Sequence, residues 1–197
     1  MEAEATKAVS LYEGRYSPRV RLSLAVTPEG IVLAACERRL SSLDVPGGPV
    51  LATVKVDPVP LPAPGPAKPI DRSPWDGPLR RAQAAGADQA VLVGSDGTLA
   101  DGSTATVWAV KDDVLLTPVS PPAIPGVARA WLMEQAGGLG LRVEVCALTE
   151  ADLRLADELF LTNALAGAVA VRGRGGPVTA TVIAAFARLW ETSGSPG

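Results

Sequence analysis

The sequence predicts an α/β (α+β) protein in which many short strands are interspersed with a few helices. Residues 19–26 alternate polar and apolar side chains, which is the period of a half-buried strand. Residues 126–139 and 178–190 carry apolar side chains at helical spacing, so each segment predicts an amphipathic helix. Turns rich in glycine, proline and aspartate separate the segments and keep the strands short. At 197 residues the chain is long enough to bury a substantial core.

The first part of the chain predicts a short helix followed by a β-hairpin. Residues 2–12 have helical character, and Gly14 and Pro18 end the helix. The turn at residues 28–30 (Pro-Glu-Gly) joins two strand-like segments, which is the pattern of a hairpin. The strands expected in this part are residues 19–26, 31–36 and 50–56.

A proline-rich segment predicts a domain boundary. Residues 57–66 contain five prolines, which are compatible with neither a central strand nor a helix. We interpret the segment as a semi-rigid extended connector. The roughly 60 residues before it are too few for a self-sufficient domain of this composition. The predicted division is a partial N-terminal small domain at 1–57, a linker at 58–67, a C-terminal domain at 68–192 and a disordered tail at 193–197.

The part after the linker alternates strands with helices. Gly86 is positioned to stop the first helix. Thr149, followed by Asp152 three residues later, resembles a capping box and predicts a helix of one or two turns. The other helices are expected at 77–85, 126–139 and 178–190, and the strands at 90–93, 98–99, 104–110, 114–116, 141–148, 158–162 and 168–171.

Charge and composition exclude several classes of function. The net charge is −3, so nothing favours binding to nucleic acid or to an anionic membrane. No apolar run reaches the roughly 20 residues of a membrane helix, and the acidic N-terminus is not that of a signal peptide. Two isolated cysteines, Cys36 and Cys146, predict no zinc site and fit a reducing compartment, so we expect a cytoplasmic protein.

The absence of histidine narrows the possible chemistry further. Without histidine, Ser-His and Cys-His nucleophile pairs and histidine-based metal sites are excluded. An enzyme with this sequence must use lysine, carboxylates, hydroxyls or a cofactor. We predict no metal ligands.

Several polar segments follow the linker in a defined order. Taken singly they are ordinary, since a lone lysine is usually a surface charge and a lone aspartate beside glycine is usually a turn residue. Their order and spacing are more informative. The segments are Lys68-Pro69-Ile70-Asp71-Arg72, residues 86–93, residues 95–101, Thr117-Pro118, Ile124-Pro125-Gly126-Val127-Ala128-Arg129 and residues 156–164 with Thr162-Asn163-Ala164 at their end.

In this order the segments resemble the C-terminal part of the class IV aminotransferases, the fold-type IV enzymes that depend on pyridoxal 5′-phosphate (PLP). The resemblance covers residues 68–172 well and residues 15–60 loosely. It implies a truncated small N-terminal domain, a larger C-terminal domain resembling a pseudo-barrel, a small-molecule amino substrate and a homodimer.

The resemblance also implies roles for individual residues. Lys68 would bind PLP covalently and act as the catalytic base, and Asp101 would face the pyridine nitrogen, where a carboxylate keeps the ring an electron sink. The phosphate would be held at the start of a helix and by a loop between two strands. The residues implied for that phosphate site are Gly126, Val127, Ala128, Asn163 and Ala164.

Within the family the sequence is most similar to aminodeoxychorismate lyase, because of the Lys-x-x-Asp-Arg form and of Asn163-Ala164-Leu165. The reaction implied is conversion of 4-amino-4-deoxychorismate to 4-aminobenzoate and pyruvate. An amino-acid transaminase of the branched-chain or D-amino-acid type is the first alternative. A catalytically inactive, truncated paralogue serving as a binding or assembly partner is the second, since the N-terminal domain is expected to be truncated, Asp101 replaces the usual glutamate and Ala128 the usual threonine.

Overall fold

The structure is a computed structural model, and the description below covers only part of the chain. Several sequence predictions fall elsewhere: the helix at 2–12, Lys68 and the tail at 193–197 lie outside the described residues. The described residues are 20–27 and 30–37 as backbone, 43–57, 59–60 and 71–189 with their side chains, and 190–192 as backbone.

The chain divides into two compact units, one ending at Ser41 and the other starting at Ser42. The first unit contains strands β1 (Val20–Thr27) and β2 (Gly30–Glu37), which pair antiparallel with Val20 opposite Glu37 and Thr27 opposite Gly30. The predicted hairpin is therefore confirmed.

The described residues of the second unit form two mixed sheets. In the smaller sheet, β3 and β4 are parallel and β4 and β5 antiparallel. In the larger sheet the order is β10-β9-β6-β7-β8, with all pairs antiparallel except β7 and β8. The strands are β3 (Leu51–Lys55), β4 (Gln89–Val93), β5 (Leu99–Gly102), β6 (Thr106–Lys111), β7 (Val114–Pro118), β8 (Arg142–Cys146), β9 (Glu158–Asn163) and β10 (Gly167–Ala170).

Four described α-helices accompany the sheets, and none of the described helices is long and apolar enough to cross a membrane. The capping box predicted at Thr149 is present, since the Thr149 and Asp152 side chains each accept the other's backbone N–H. The helices are α1 (Ser73–Ala84), α2 (Val127–Gln135), α3 (Glu150–Leu155) and α4 (Pro177–Thr192), with a 3₁₀ turn at Ala136–Leu139 after α2.

Helix α1 starts four residues earlier than predicted. Ser73 is its first residue and Pro74 lies in its first turn, where proline needs no hydrogen-bond partner and has a suitable φ. The Asp71 carboxylate accepts the Ser73 N–H at 2.9 Å just before the helix. The predicted start at Gly77 was wrong because a proline in the first turn begins this helix.

Strand β3 belongs to the second unit although it precedes the proline-rich segment. It pairs in parallel with β4 from Leu51 opposite Gln89 to Lys55 opposite Val93. The second unit consequently begins at Ser42, earlier than the predicted linker at 58–67. The domain bounds given in the sequence analysis stay a prediction.

The core of the described residues forms three apolar clusters, because the central strands are buried on both faces. In β6, Val107 and Ala109 join an apolar cluster shared by the two sheets and α3, whereas Trp108 and Val110 join a cluster under α2 and α4. A third cluster packs α1 on the smaller sheet, around Trp75. Burial on both faces explains why these strands read as continuous apolar runs.

Glu158 on β9 stabilises the start of helix α4. Its buried carboxylate accepts the backbone N–H groups of Val178 at 3.1 Å and Thr179 at 2.7 Å. These are among the first N–H groups of α4, which have no partner within the helix, and a negative charge there is favourable.

We expect Glu158→Ala to lower the free energy of unfolding by about 1–3 kcal/mol, because two buried donors lose their acceptor. Urea unfolding followed by circular dichroism measures the change. The matched control is Glu134→Ala, an exposed glutamate on α2, which we expect to leave the midpoint nearly unchanged. Equal midpoints for the two variants would contradict the capping role.

Candidate active site

A cavity of about 220 Å³ brings together most of the predicted site residues. It lies where β5, the β5–β6 loop, the start of α2 and the end of β9 meet. Seven site residues are predicted, and one of them, Lys68, lies outside the described residues. The six that line the cavity are Asp101, Gly126, Val127, Ala128, Asn163 and Ala164.

Asp101 is fixed in the cavity wall by backbone hydrogen bonds. It lies on β5 opposite Leu92, and it is only 5% exposed. One carboxylate oxygen accepts the Gly102 N–H at 2.9 Å, and the other accepts the Ile124 N–H at 3.0 Å. Glycine is required at 102, since a Cβ there would overlap the carbonyl oxygen of Ala105. The strand end therefore holds a buried carboxylate in one orientation.

The start of helix α2 forms a second wall. Gly126 precedes the helix in an extended conformation and has no side chain with which to cap the helix N-terminus. A Cβ at Gly126 would lie 3.3 Å from the Thr106 hydroxyl, so glycine leaves space at this point of the wall. Val127 and Ala128 then supply the first helical N–H groups, which have no partner within the helix. Such a helix start favours an anion.

Asn163 ends β9 and shapes a third wall. Its side-chain oxygen accepts the N–H groups of Leu165 at 3.0 Å and Ala166 at 2.8 Å, while its amide nitrogen donates to the Thr104 carbonyl at 3.3 Å. This turn leaves Ala164 exposed at the cavity. Both the oxygen and the nitrogen of the Asn163 side chain are thus used in positioning the loop.

The structure adds Arg72 to the site, a residue to which the sequence assigned no role. Its Nη2 donates to the Ser103 carbonyl at 2.8 Å, and its guanidinium carbon lies 4.5 Å from the centroid of the Trp75 ring. The Nη1 atom is buried, and it has no hydrogen-bond partner among the described residues. Burial lowers the pKa of Arg72, and the charges of Asp76 and Asp101 oppose that shift.

Arg129 is the second cavity residue that sequence reasoning missed. It is 8% exposed, and it donates to the Thr117 hydroxyl at 3.4 Å and to the Pro118 carbonyl at 3.0 Å. Burial lowers the pKa of Arg129 while the charge of Asp101 raises it. Both arginines end segments quoted in the sequence analysis, Lys68–Arg72 and Ile124–Arg129. An arginine in the same short segment as predicted cofactor-binding residues was the signal that could have identified them.

The residues present fit PLP as a ligand. The N–H groups at the start of α2 offer donors for a phosphate, and the guanidinium of Arg72 belongs to a residue that lines the same cavity. A carboxylate has about four acceptor positions, so Asp101 can accept a ring N–H beside its two backbone donors. Among the described residues, no three Cys, Asp or Glu side chains are grouped to hold a metal ion.

The chain is similar to proteins of one known family. Residues 12–173 match the family Amino-transferase class IV. The branched-chain-amino-acid aminotransferase of Escherichia coli (strain K12) is 32% identical over 115 residues, which is 53% of this chain and 37% of that protein. The chain therefore spans little more than a third of the length of this curated relative.

Solved structures show the same fold. A branched-chain amino acid aminotransferase from T.th., complexed with N-(5′-phosphopyridoxyl)-L-glutamate, has a TM-score of 0.68 and 27% identity, over 80% of this chain and 55% of that one. A Legionella pneumophila protein designated a 4-amino-4-deoxychorismate lyase also has a TM-score of 0.68, at 21% identity over 80% of this chain and 60% of that one.

These similarities confirm the fold-type IV fold class expected from the sequence. The family match extends over most of the chain, from residue 12 to residue 173. The chain belongs to the class IV aminotransferase family, whose members are PLP-dependent enzymes.

Proposed function

We propose that this chain binds PLP in the cavity around Asp101 and forms the active site of a PLP-dependent enzyme. The observation that carries the proposal is the convergence of Asp101, the start of α2 and the Asn163 loop on one cavity. Their order along the chain is also the order that the family resemblance implies.

Each wall of the cavity would hold a different part of the cofactor. The N–H groups of Val127 and Ala128 would hold the phosphate, with Arg72 as an additional donor. Asn163 and Ala164 would close the other side of the phosphate. The Asp101 carboxylate would hold a proton at the ring nitrogen. Lys68, by the family resemblance, would attach the cofactor covalently.

The cofactor would supply the electron sink, and the chain's own residues would position it and move protons. By the family resemblance, the Nζ atom of Lys68 would accept a proton from the substrate and later return it. Because Asp101 and Arg129 are buried, the charges of the site would be kept away from water. Electrostatic interactions are stronger in such a water-excluded site than in water.

In its most specific form, the proposal is that the enzyme is a 4-amino-4-deoxychorismate lyase, which forms 4-aminobenzoate and pyruvate from one substrate. Its support is the sequence Asn163-Ala164-Leu165 and the Lys68 to Arg72 segment. A homodimer is part of the same proposal, through the family resemblance.

A transaminase is the second candidate. It is favoured by the curated relatives, which are named branched-chain-amino-acid aminotransferases. Its substrate would be a small amino acid, and it would need a keto acid as amino-group acceptor.

The deciding experiment is a visible absorption spectrum of the purified chain with PLP, followed by borohydride reduction. A new band and a PLP label that survives denaturation are expected. Pyruvate release from 4-amino-4-deoxychorismate without an added keto acid would support the lyase, and activity only with a keto acid would support the transaminase. No band and no label would overturn the proposal.

Replacing Val127 by proline tests the helix start directly. Proline fits the first helical position, and Gly126, with φ −67° and ψ 138°, already has the conformation that a residue before proline requires. The Val127 side chain is 78% exposed, so the change removes little besides one N–H. We expect PLP affinity to fall about tenfold or more, as for the loss of a hydrogen bond to a charged group.

The matched control is Val127→Ala, which keeps the N–H and should bind PLP like the wild type. Absorbance titration gives both dissociation constants. If Val127→Pro and Val127→Ala bind equally well, the start of α2 is not the phosphate site.

A further inference from the structure

The Ser103–Thr104 segment connects two walls of the cavity. The carbonyl of Ser103 accepts Nη2 of Arg72 at 2.8 Å, and the carbonyl of Thr104 accepts the amide nitrogen of Asn163 at 3.3 Å. Arg72 precedes α1 and Asn163 ends β9, so residues far apart in sequence depend on two adjacent carbonyl groups. The position of this segment therefore affects both side chains together.

The Gln89 side chain binds the Ser103–Thr104 segment through the hydroxyl groups of both residues. Its Oε1 atom accepts the Ser103 hydroxyl at 3.1 Å and the Thr104 hydroxyl at 2.7 Å. The Ser103 oxygen in turn accepts the Ala90 N–H at 3.2 Å. Gln89 is 2% exposed and Ser103 1% exposed, so the bond between them is made away from water, while the half-buried Thr104 also borders the cavity. Gln89 does not itself line the cavity.

We propose that Gln89 is a positioning residue of the active site: it fixes Ser103 and Thr104, and through their carbonyls it sets the places of Arg72 and Asn163. Hydrogen-bond networks of this kind are rigid, and removing the shared acceptor breaks the bonds of both hydroxyl groups to it. The proposal rests on the proposed binding of PLP in this cavity, since Arg72 and Asn163 belong to the phosphate side of it.

The first test is PLP binding by four forms of the full chain. Gln89→Met removes the acceptor at similar length, whereas Gln89→Glu keeps an acceptor oxygen. Leu153→Ala is the stability control, because Leu153 is buried on α3 and does not line the cavity. We expect the dissociation constant to rise about tenfold for Gln89→Met, the size of one lost buried acceptor. Gln89→Glu should bind PLP more tightly than Gln89→Met, because it keeps the acceptor oxygen, and Leu153→Ala should bind PLP like the wild type, because Leu153 does not touch the cavity.

The second test needs no PLP. Amide hydrogen exchange of residues 103–105 should be faster in Gln89→Met than in the wild type, with β6 unchanged as internal reference. If Gln89→Met does not fold, Thr104→Val removes one of the two hydroxyl donors and should show a smaller change in the same direction.

The outcomes separate the two proposals. Equal PLP affinity of Gln89→Met and wild type, or unchanged exchange at 103–105, overturns the role of Gln89. A Leu153→Ala variant that loses PLP affinity as strongly as Gln89→Met also overturns it, since general destabilisation would then explain both. A wild-type chain that binds no PLP overturns the proposed function, while the exchange measurement still decides whether Gln89 fixes the segment.

Discussion

Replacing Lys68 by alanine is expected to abolish the borohydride-stable attachment of PLP and to lower turnover by about 10²–10⁴-fold, the range for loss of a positioned acid–base group. The physical reason is that only an amine can form the covalent link and then exchange protons with the substrate. Absorbance with added PLP, and the mass of the chain after reduction, measure the attachment. Steady-state kinetics measures the turnover.

The chain provides matched controls for this variant, because it contains only three other lysines, Lys7, Lys55 and Lys111. Lys111 is the exposed last residue of β6 and pairs with Asp157 at 3.1 Å. Lys111→Ala should retain the label, and peptide mapping of the wild type should find it on the peptide containing Lys68. A label that persists in Lys68→Ala, or that maps to another lysine, would contradict the assignment.

The Asp101→Asn variant is expected to bind PLP but to turn over at least about 10²-fold more slowly, as when a positioned proton-holding group is lost. The amide replaces one acceptor oxygen by an NH₂ group, so either the Gly102 or the Ile124 N–H loses its acceptor. The negative charge near Arg72 and Arg129 is removed in the same step. Absorbance titration and steady-state kinetics separate the binding effect from the effect on turnover.

Asp101→Glu is the control that retains charge, and it introduces the residue that the family usually carries at this position. We expect it to keep most of the turnover. Equal turnover of Asp101→Asn and wild type would show that the carboxylate does not hold the proton at the ring nitrogen.

The sequence predicted the strands best where side-chain alternation or a continuous apolar run carried the signal. The runs in β4 and β9 were recognised, and the structure shows that both faces of these strands are buried. The start of α1 was missed because Pro74 is read equally well as a break or as a first-turn residue. A short-range pattern cannot distinguish these two cases.

Only part of the candidate site was predicted, because contacts between residues far apart in sequence leave no local pattern. Motif order identified the residues whose backbone or carboxylate lines the cavity. The contacts of Arg72 with Ser103 and of Glu158 with α4 join residues 31 and 20 or more positions apart, and no local pattern encodes such contacts. Gln89 lies inside the motif at residues 86–93, just before the strand predicted at 90–93, and the sequence assigns it no role, because its hydroxyl partners become neighbours through the pairing of β4 with β5.

Residues of both sheets of the second unit line the cavity, with Asp101 on the smaller sheet and Asn163 on the larger one. A ligand bound there would be lost when either sheet opens, so its binding free energy would stabilise both against unfolding. The two sheets also share one apolar cluster. Ligand binding should therefore raise the melting temperature of the unit as a whole, which makes a thermal shift a direct assay for ligands of this cavity.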